Sequence, residues 1–389
     1  MKPPEFVLVG NIPDKYFAID IADFLNQKTD IADLVSLKVF ANSEFCPRFT
    51  VNRNDDSQLI GKSLEGKNVI LISVHSDWLS RSDLSIRNMI LARAAKDNGA
   101  ERVILVEPDL FYSAQDRGPR LMHGQTRYKR SHADLYKFNG QAFSAQLYAQ
   151  LLKTSGVDEV VTIHNHSYSC GYEYKKIFGP DNFTNLSPHS LYHHFLCFSG
   201  IVDPYNTILV APDKGASEFT KLTAEHAEPF LPIILYEKTR TDESTVSLRF
   251  SDKSQLSSGQ IRGKDVVILD DMVRTGSTLL DCYNMLYKHS PRNIICIITH
   301  FYSSEEVKRN LSKAHFDQIV TTNTLPTILN RDNQGRLRKR ITVLKINKWI
   351  AHYLQHRLHL HRKSEEPFYI EDVSDKNPRS QFRNSFQYT

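Results

Sequence analysis

Several features are scarce in this sequence of 389 residues, and each absence excludes a class of protein. The 5 cysteines lie far apart and form no Cys-x-x-Cys pair, so we expect reduced thiols and no disulfide framework. No uninterrupted apolar run approaches the roughly 18 residues that a membrane-spanning helix needs. The N-terminal residues do not resemble a signal segment, and we expect a cytoplasmic protein with no membrane partner.

A strong excess of charge is also missing. The chain has 49 Lys and Arg against 44 Asp and Glu, a formal net charge of +5. So small an excess gives no special reason to expect a nucleic-acid partner, although it suits small anionic ligands. The chain is 40% hydrophobic and 24% charged, which is ordinary for a soluble globular protein. Its length allows two domains with their own cores.

Short apolar runs typical of buried strands alternate along the chain with amphipathic stretches typical of helices. The first half has predicted strands at 6–9, 34–40, 68–74, 103–106 and 159–163, with helices at 16–26, 83–98 and 143–152. The second half has predicted strands at 207–210, 233–236, 266–269, 293–299, 318–321 and 341–346, followed by a helix at 348–359. This alternation predicts an α/β fold with mainly parallel sheets.

One stretch in the second half combines a strand, two acids and a small hydroxylated loop before a helix. The strand ends in Asp270 and Asp271, at the sheet edge where ligands bind in open α/β folds. The loop consists of Arg274, Thr275, Gly276, Ser277 and Thr278. Backbone N–H groups at a helix start, helped by hydroxyls, bind phosphate, while the two carboxylates suit neighbouring sugar hydroxyls. The stretch therefore predicts a ribose 5-phosphate site, and the alternative is an ordinary strand–helix turn.

Two further segments each allow a structural and a functional interpretation. His164-Asn165-His166 follows a predicted strand and is either a polar cap or part of a metal or phosphate site. The basic segment 118–132 is either a solvated loop or a mobile loop beside an anionic ligand.

The stretch 266–280 resembles the phosphoribosyl-binding loop of type I phosphoribosyltransferases and of ribose-phosphate pyrophosphokinases. Over residues 6–360, the order of motifs resembles the second family. The matching segments are 40–44, 112–117, 162–166, 211–216, 238–240 and 322–326. A plain phosphoribosyltransferase has one such domain and no use for the first half of this chain.

The resemblance implies two phosphoribosyltransferase-like domains, each with a mainly parallel central sheet flanked by helices. We place them at 1–170 and 171–346, with a helix at 347–363 that packs back on the first domain and a polar tail at 364–389. The implied reaction transfers the β,γ-pyrophosphoryl group of ATP to the anomeric hydroxyl of ribose 5-phosphate, giving phosphoribosyl pyrophosphate and AMP. Mg²⁺ is the implied cofactor, and a homo-oligomer of at least two subunits is implied because the adenine pocket is shared.

The resemblance also assigns roles to individual residues. An adenine pocket is implied at Phe40, Asn42 and Glu44, and contacts to the ATP phosphates at Gln115, Asp116 and Arg117. Mg²⁺ is implied at His166 and Asp213, and the catalytic cations of a flexible loop at Lys238 and Arg240.

Three departures from the family pattern leave the function open between three classes. Ala114 replaces an arginine, His164-Asn165-His166 replaces Asp-Leu-His, and Arg274 takes an acid's place. The chain is therefore predicted to be an active pyrophosphokinase, a transferase that consumes phosphoribosyl pyrophosphate, or a non-catalytic relative that regulates a true synthetase. The first class is favoured because both loop acids are retained, together with Lys238, Arg240, Asp213 and His166.

Overall fold

The computed structural model describes residues 5–12, 16–50, 64–126, 129–240, 246–360 and 366–373. The chain divides into two compact units. The first comprises Met1–Leu186 and Asn347–Ser364, and the second comprises Ser187–Ile346 and Glu365–Thr389. No helix in the described ranges is long and apolar enough to cross a membrane.

The first unit is built on a parallel sheet of five strands. In spatial order these are β1 (Phe6–Gly10), β4 (Asn68–Ile72), β5 (Arg102–Val106), β6 (Glu159–Ile163) and β7 (Phe183–Leu186). Strands β4 and β6, which flank the central β5, are buried along their whole length, which explains their continuous apolar runs. The helices are α1 (Tyr16–Phe24), α2 (Ile31–Leu34), α3 (Arg81–Asp97), α4 (His132–Tyr136), α5 (Ser144–Thr154) and α6 (Tyr168–Phe178).

A small hairpin stands apart from this parallel sheet. The predicted strand at 34–40 is β2 (Val35–Val39), and it pairs antiparallel with β3 (Phe45–Phe49) in a two-stranded sheet. The sequence analysis missed β3, because Pro47 lies in the strand and interrupts its apolar pattern.

The helix after the last large strand belongs to the first unit. Helix α11 (Asn347–Arg357) buries Ile350, Ala351 and Leu354. Its ends are tied to helix α1, because Asn347 Nδ2 donates to the carbonyl of Phe17 at 2.9 Å and Gln355 Nε2 to that of Phe24 at 3.1 Å. The chain thus returns to its first unit after completing the second.

The second unit is built on an eight-stranded sheet whose inner strands are parallel. The order is β10 (Val246–Phe250), β9 (Ile233–Arg240), β8 (Thr207–Ala211), β11 (Asp265–Val273), β12 (Asn293–Phe301), β13 (Gln318–Thr322), β14 (Ile341–Lys345) and β15 (Ile370–Asp372). Only β10 and β15, at the two edges, pair antiparallel. The helices are α7 (His189–Phe198), α8 (Ser217–Ala224), α9 (Ser277–Tyr287) and α10 (Glu305–Lys313). The predicted α/β class with mainly parallel sheets is confirmed.

Two boundaries differ from the predictions. The units divide at Leu186, not at residue 170, because α6 and β7 complete the first sheet. Part of the predicted polar tail is folded: β15 pairs with β14, and Tyr369 is buried with its hydroxyl 2.9 Å from His194 Nδ1. Residues 374–389 lie outside the described ranges.

Helix α11 provides a test of this architecture. Ile350→Ala should destabilise the folded chain by about 2–5 kcal/mol, because it leaves a cavity in a fully buried position. Denaturant unfolding followed by circular dichroism measures the loss. The exposed His356→Ala on the same helix is the control, with an expected change within about 0.5 kcal/mol. Equal effects of both substitutions would contradict the docking of α11.

Candidate functional site

Three carboxylates meet at one edge of the larger sheet. Strand β11 pairs with β8 only from Asp265 to Ile268, and the acids Asp270 and Asp271 follow the point where that pairing stops. Asp213 comes two residues after the end of β8. The parallel strands therefore deliver all three side chains to the same carboxyl-terminal edge.

The predicted end of this strand needs a correction. The sequence analysis ended it at Leu269, whereas β11 continues to Val273. The extension is stabilised on one side only, since Asp270 stays in register with Ile298 of β12 and Val273 with Phe301. The acids are thus held on a strand that is paired on one side and open on the other.

Electrostatic crowding is strong at this edge. Burial, together with the nearby carboxylates of Asp271 and Asp213, raises the pKa of Asp270 well above its ordinary value. The Asp271 N–H donates to Asp270 Oδ1 at 3.0 Å, and Asp213 Oδ1 accepts the Gly215 N–H at 2.9 Å. A cation or a pair of hydroxyl donors bound here would relieve the repulsion.

The loop after these acids has the form of an anion cradle. Gly276 adopts a left-handed conformation, with φ 79°, and precedes the first residue of the eleven-residue helix α9. No acidic residue lies in the first turn of α9. Side chains of Thr275 and Ser277 are exposed, and their hydroxyl oxygens are 3.1 Å apart. The predicted loop therefore presents hydroxyls at a helix start, where the helix dipole favours negative charge.

Helix α10 supports this loop, which the sequence analysis did not foresee. Asn310 Nδ2 donates to the Thr275 carbonyl at 2.8 Å, and Ser304 Oγ donates to the Arg274 carbonyl at 3.5 Å. A Cβ on Gly276 would lie 3.4 Å from the Asn310 Cβ. Spacing could not reveal this pairing, because 35 residues separate Asn310 from Thr275.

The predicted catalytic cations lie on a strand rather than in a loop. The sequence analysis ended the strand at Tyr236, but β9 continues to Arg240 and forms a hairpin with β10. The backbones of Lys238 and Arg240 are paired with those of Leu248 and Val246. Their side chains, and residues 241–245, lie outside the described part of the structure.

In the first unit, two predicted segments follow neighbouring parallel strands. Gln115, Asp116 and Arg117 come after β5, and His166 comes after β6. Ser169 joins the two segments, since its hydroxyl donates to the Asp116 carbonyl at 2.7 Å. Gln115 and His166 are exposed, whereas Asp116 is buried.

Arg117 is held by acids of its own chain. Its Nε lies 3.3 Å from Asp116 Oδ1, and its NH1 lies 3.4 Å from Asp134 Oδ1. The guanidinium also lies over the Phe138 ring, 5.0 Å from its centroid. Much of its positive charge is therefore balanced before any ATP phosphate binds.

The basic segment 118–132 is an internally bonded loop in its described part, with residues 127 and 128 outside it. The Arg130 side chain is 2% exposed and bonds to Asp134 at 2.7 Å. Its guanidinium also donates to the carbonyls of Gly118, Arg120 and His123. Arg130 therefore organises the loop, and neither predicted alternative, a solvated loop or a mobile one, describes this residue.

A buried carboxyl network lies just after the end of β5 and was not predicted. Glu107 is fully buried, and its Oε1 accepts hydrogen bonds from Ser73, Asn88 and Tyr148 at 2.8, 2.9 and 3.1 Å. Its Oε2 accepts the Phe111 N–H at 2.9 Å. Burial is the main cause that raises the pKa of Glu107 to about 7. The network fixes the chain where it leaves β5.

The predicted adenine residues form the turn of the β2–β3 hairpin. The Phe40 N–H donates to the Glu44 carbonyl at 2.9 Å, and Asn42 Oδ1 accepts the Glu44 N–H at 3.2 Å. The Phe40 side chain is 43% exposed. The turn thus presents an accessible aromatic ring with polar neighbours.

Comparison with known proteins agrees with this architecture. The phosphoribosyl transferase domain pattern matches residues 201–326. Ribose-phosphate pyrophosphokinase 2 of Saccharomyces cerevisiae is 25% identical over 310 residues, covering 79% of this chain and 86% of the relative. The ribose-phosphate pyrophosphokinase of Methanothermobacter thermautotrophicus is 26% identical over 324 residues, covering 82% and 93%. Phosphoribosylpyrophosphate synthetase from Mycobacterium smegmatis shares the fold, with a TM-score of 0.69, 21% identity and coverage of 91% and 99%.

The domain match and the parallel sheets place the chain in the phosphoribosyltransferase fold class. Within that class, the chain is a divergent relative of the ribose-phosphate pyrophosphokinases, at about a quarter identity. The resemblance predicted from the motifs is confirmed, and it extends over both units.

The Glu107 network predicts a pH dependence of stability. The folded chain holds the Glu107 proton up to about pH 7, whereas the ordinary pKa is 4.5. The free energy of unfolding should therefore fall as pH rises between these values, by about 3 kcal/mol from this group, and level off above them. Glu107→Gln should remove that slope in denaturant unfolding at a series of pH values. Exposed Glu101→Gln is the control, and parallel curves for wild type and Glu107→Gln would refute the assignment.

Proposed function

We propose that this chain is a ribose-phosphate pyrophosphokinase, which transfers the β,γ-pyrophosphoryl group of ATP to ribose 5-phosphate and releases AMP. The observation that carries the proposal is the anion cradle at 275–278 beside the acids Asp270 and Asp271. This chain is similar to such enzymes along about four fifths of its length, so it includes both units that the two-substrate reaction requires.

The second unit binds the acceptor in this proposal. The loop from Arg274 to Thr278 surrounds the 5-phosphate with N–H groups and hydroxyls, and the Arg274 side chain adds a positive charge. Asp270 and Asp271 accept hydrogen bonds from the ribose hydroxyls. These contacts hold the anomeric hydroxyl in place, so that attack on the β-phosphorus becomes effectively intramolecular.

The first unit binds the nucleotide. Phe40 stacks on adenine while Asn42 and Glu44 contact the edge of the base, and Gln115, Asp116 and Arg117 contact the phosphates. The exposure of Phe40 and Gln115 supports these roles. We further propose a homo-oligomer in which the hairpin turn completes the nucleotide site of a neighbouring subunit, and a cytoplasmic location.

The carboxylates at the edge of the larger sheet fit Mg²⁺ whose coordination is completed by substrate and water. No cluster of three or more His, Cys, Asp or Glu suited to a metal occurs in the described ranges, so the protein alone does not form a full coordination shell. Mg²⁺ commonly uses one or two carboxylates together with substrate phosphates. Asp213 in the second unit and His166 in the first are each proposed to hold Mg²⁺, and the metal would neutralise charge on the transferring group.

A non-catalytic, regulatory relative is the second candidate. Ala114 stands where the family pattern has an arginine, and the neighbouring Arg117 is already paired with Asp116 and Asp134. A transferase that consumes phosphoribosyl pyrophosphate would release no AMP. Incubation with ATP, Mg²⁺ and ribose 5-phosphate, with AMP measured by chromatography, therefore separates the synthetase from both alternatives.

Lys238→Ala and Arg240→Ala should each lower kcat by a factor of about 100–1000 and leave both KM values nearly unchanged. Each cation is proposed to meet the phosphoryl group only in the transition state, where one donor contributes about 3–4 kcal/mol. Steady-state AMP formation measures the loss. Exposed Lys221→Ala in the same unit should retain wild-type rates. If either variant keeps its rate, that residue is not catalytic.

Asp271→Asn should weaken acceptor use more than nucleotide binding. Loss of one charge-assisted hydrogen bond raises the KM for ribose 5-phosphate by a factor of about 10–100. The KM for ATP should stay close to the wild-type value, and Asp252→Asn, an exposed acid of the same unit, should change neither. An equal rise in both KM values would contradict the assignment of Asp271 to the ribose 5-phosphate site.

A further inference from the structure

Glu107 lies at the start of the segment that carries the proposed contacts to the ATP phosphates. It directly follows β5, it is fully buried, and its Oε2 accepts the Phe111 N–H at 2.9 Å. Glu107 belongs to a network of buried polar side chains, whose other members are Asn11, Ser73, Asn88 and Tyr148. These residues follow β1 and β4 or lie on helices α3 and α5. The network therefore joins the start of the segment to four other elements of the first unit.

The hydrogen bonds of this network are directed toward the Glu107 carboxyl group. Ser73 Oγ accepts from Asn11 Nδ2 at 3.2 Å and from Asn88 Nδ2 at 2.8 Å. Its own proton is therefore directed at Glu107 Oε1, which is 2.8 Å away. The Tyr148 hydroxyl likewise accepts from Asn88 Nδ2 at 3.1 Å and donates to Glu107 Oε1. The arrangement fits an ionised carboxylate, because a carboxylic acid would need an acceptor for its proton and would displace one of these donors.

The segment after Glu107 has an unusual backbone that needs support. Tyr112 adopts a φ of 60°, a left-handed conformation that is uncommon for a residue with a Cβ atom and persists only where surrounding contacts enforce it. Its ring lies against the Tyr148 ring, with the centroids 5.3 Å apart, and its hydroxyl is 3.0 Å from Ser82 Oγ. Its carbonyl accepts the Gln115 N–H at 2.8 Å. The contacts made at Glu107 and Tyr148 therefore determine where the first proposed phosphate contact lies.

The ionisable groups around Glu107 come from three helices and from its own segment. Arg81 of α3, which is ion-paired with Asp109, favours the ionised carboxylate. The buried neutral groups are Tyr148 of α5 and Cys170 and Tyr174 of α6, and the further acids near Cys170 are Asp116 and Glu173. Burial raises the pKa of each of these three neutral groups well above its ordinary value. Burial also raises the pKa of Glu107, to about 7. Glu107 therefore changes charge near neutral pH, while its three buried neighbours stay neutral.

We propose that Glu107 is a positioning residue for the nucleotide, whose ionised carboxylate holds residues 111–117 in the conformation that binds the ATP phosphates. Nucleotide binding then strengthens as Glu107 loses its proton, because hydrogen bonds to the ionised group are the stronger ones. Glu107 is fully buried and acts through the segment, not by contact with the nucleotide. The inference rests on the proposed function of Gln115, Asp116 and Arg117, and it adds a pH control of that site.

Proton linkage gives the direction and size of the effect. At pH 6 about one tenth of the nucleotide-free protein has an ionised Glu107, and at pH 8 about nine tenths has. ATP that binds only to the ionised form should therefore bind about tenfold more tightly at pH 8. Isothermal titration calorimetry with ATP and Mg²⁺, without ribose 5-phosphate, measures the Kd at both pH values.

Glu107→Gln corrects for the titration of ATP itself. The ratio of the wild-type Kd to the Glu107→Gln Kd should fall about tenfold from pH 6 to pH 8. The same ratio for exposed Glu101→Gln should stay constant. ATP binding with a constant ratio for Glu107→Gln would overturn this inference and leave the proposed function intact. A ratio that rises with pH would also overturn it, since the carboxylate would then repel the phosphates. Absence of ATP binding at both pH values would overturn the proposed function and this inference with it.

Tyr148→Phe separates positioning from packing and does not depend on the folding of Glu107→Gln. The substitution keeps the ring but removes one donor to Glu107 Oε1, so the midpoint of the pH dependence should rise by about one pH unit. Tyr174→Phe is the control, because it removes a buried hydroxyl that has no hydrogen-bond partner among the described residues. It should leave the midpoint unchanged. A merely structural role of Tyr148 would weaken ATP binding equally at every pH, and an unchanged midpoint in folded Tyr148→Phe would contradict the proposal.

Infrared spectroscopy follows the proton of Glu107 directly. At pH 6 the wild type should show a carboxylic acid C=O band that Glu107→Gln lacks. Saturating ATP should weaken this band, because the nucleotide selects the ionised form. ATP binding that leaves the band unchanged would refute the coupling between Glu107 and the nucleotide segment.

Discussion

Mutual repulsion of carboxylates at one edge of the larger sheet is the constraint on which the candidate site depends. Asp270 is carried past the end of its pairing with β8, into a position where Asp271 and Asp213 face it. Carboxylates held so close lower the stability of the folded chain unless a ligand or a proton relieves their repulsion. In the proposed function, the hydroxyls of a sugar or a hydrated cation relieve this repulsion.

Strand β12 and helix α10 support this crowded edge of the sheet. Strand β11 stays in register with β12 up to Val273, and α10 fixes the loop through Asn310 and Ser304. The first unit has an analogous arrangement, in which a buried carboxyl, Glu107, anchors the chain as it leaves β5. In both units, long-range hydrogen bonds hold a segment for which the hydrophobic pattern of the sequence predicts only a loop.

Local patterns predicted the strands and the loop, because continuous apolar runs and a Thr-Gly-Ser-Thr turn are properties of neighbouring residues. The boundaries were less predictable. Strand β9 continues through Lys238 and Arg240 because β10 pairs with it, and nothing in the residues 237–240 themselves indicates that partner. Likewise, the contact between Arg130 and three carbonyls depends on tertiary structure and has no sequence pattern. The sequence thus predicts which candidate residues follow the ends of strands, but it does not predict the tertiary contacts that support them.

The departures from the family pattern become intelligible as changes in local charge. Where the pattern has an acid, Arg274 places an exposed cation next to a cradle whose neighbouring strand already carries two carboxylates. Two unit charges about 4 Å apart interact by about 4 kcal/mol at the effective dielectric constant of a protein surface, so exchanging an acid for a base matters to a bound phosphate. In the first unit positive charge is reduced instead, because Ala114 provides no charge and Arg117 is paired with two acids. In the proposed function, these changes strengthen the attraction for the sugar phosphate and weaken that for the triphosphate, and the balance between them decides whether pyrophosphoryl transfer is retained.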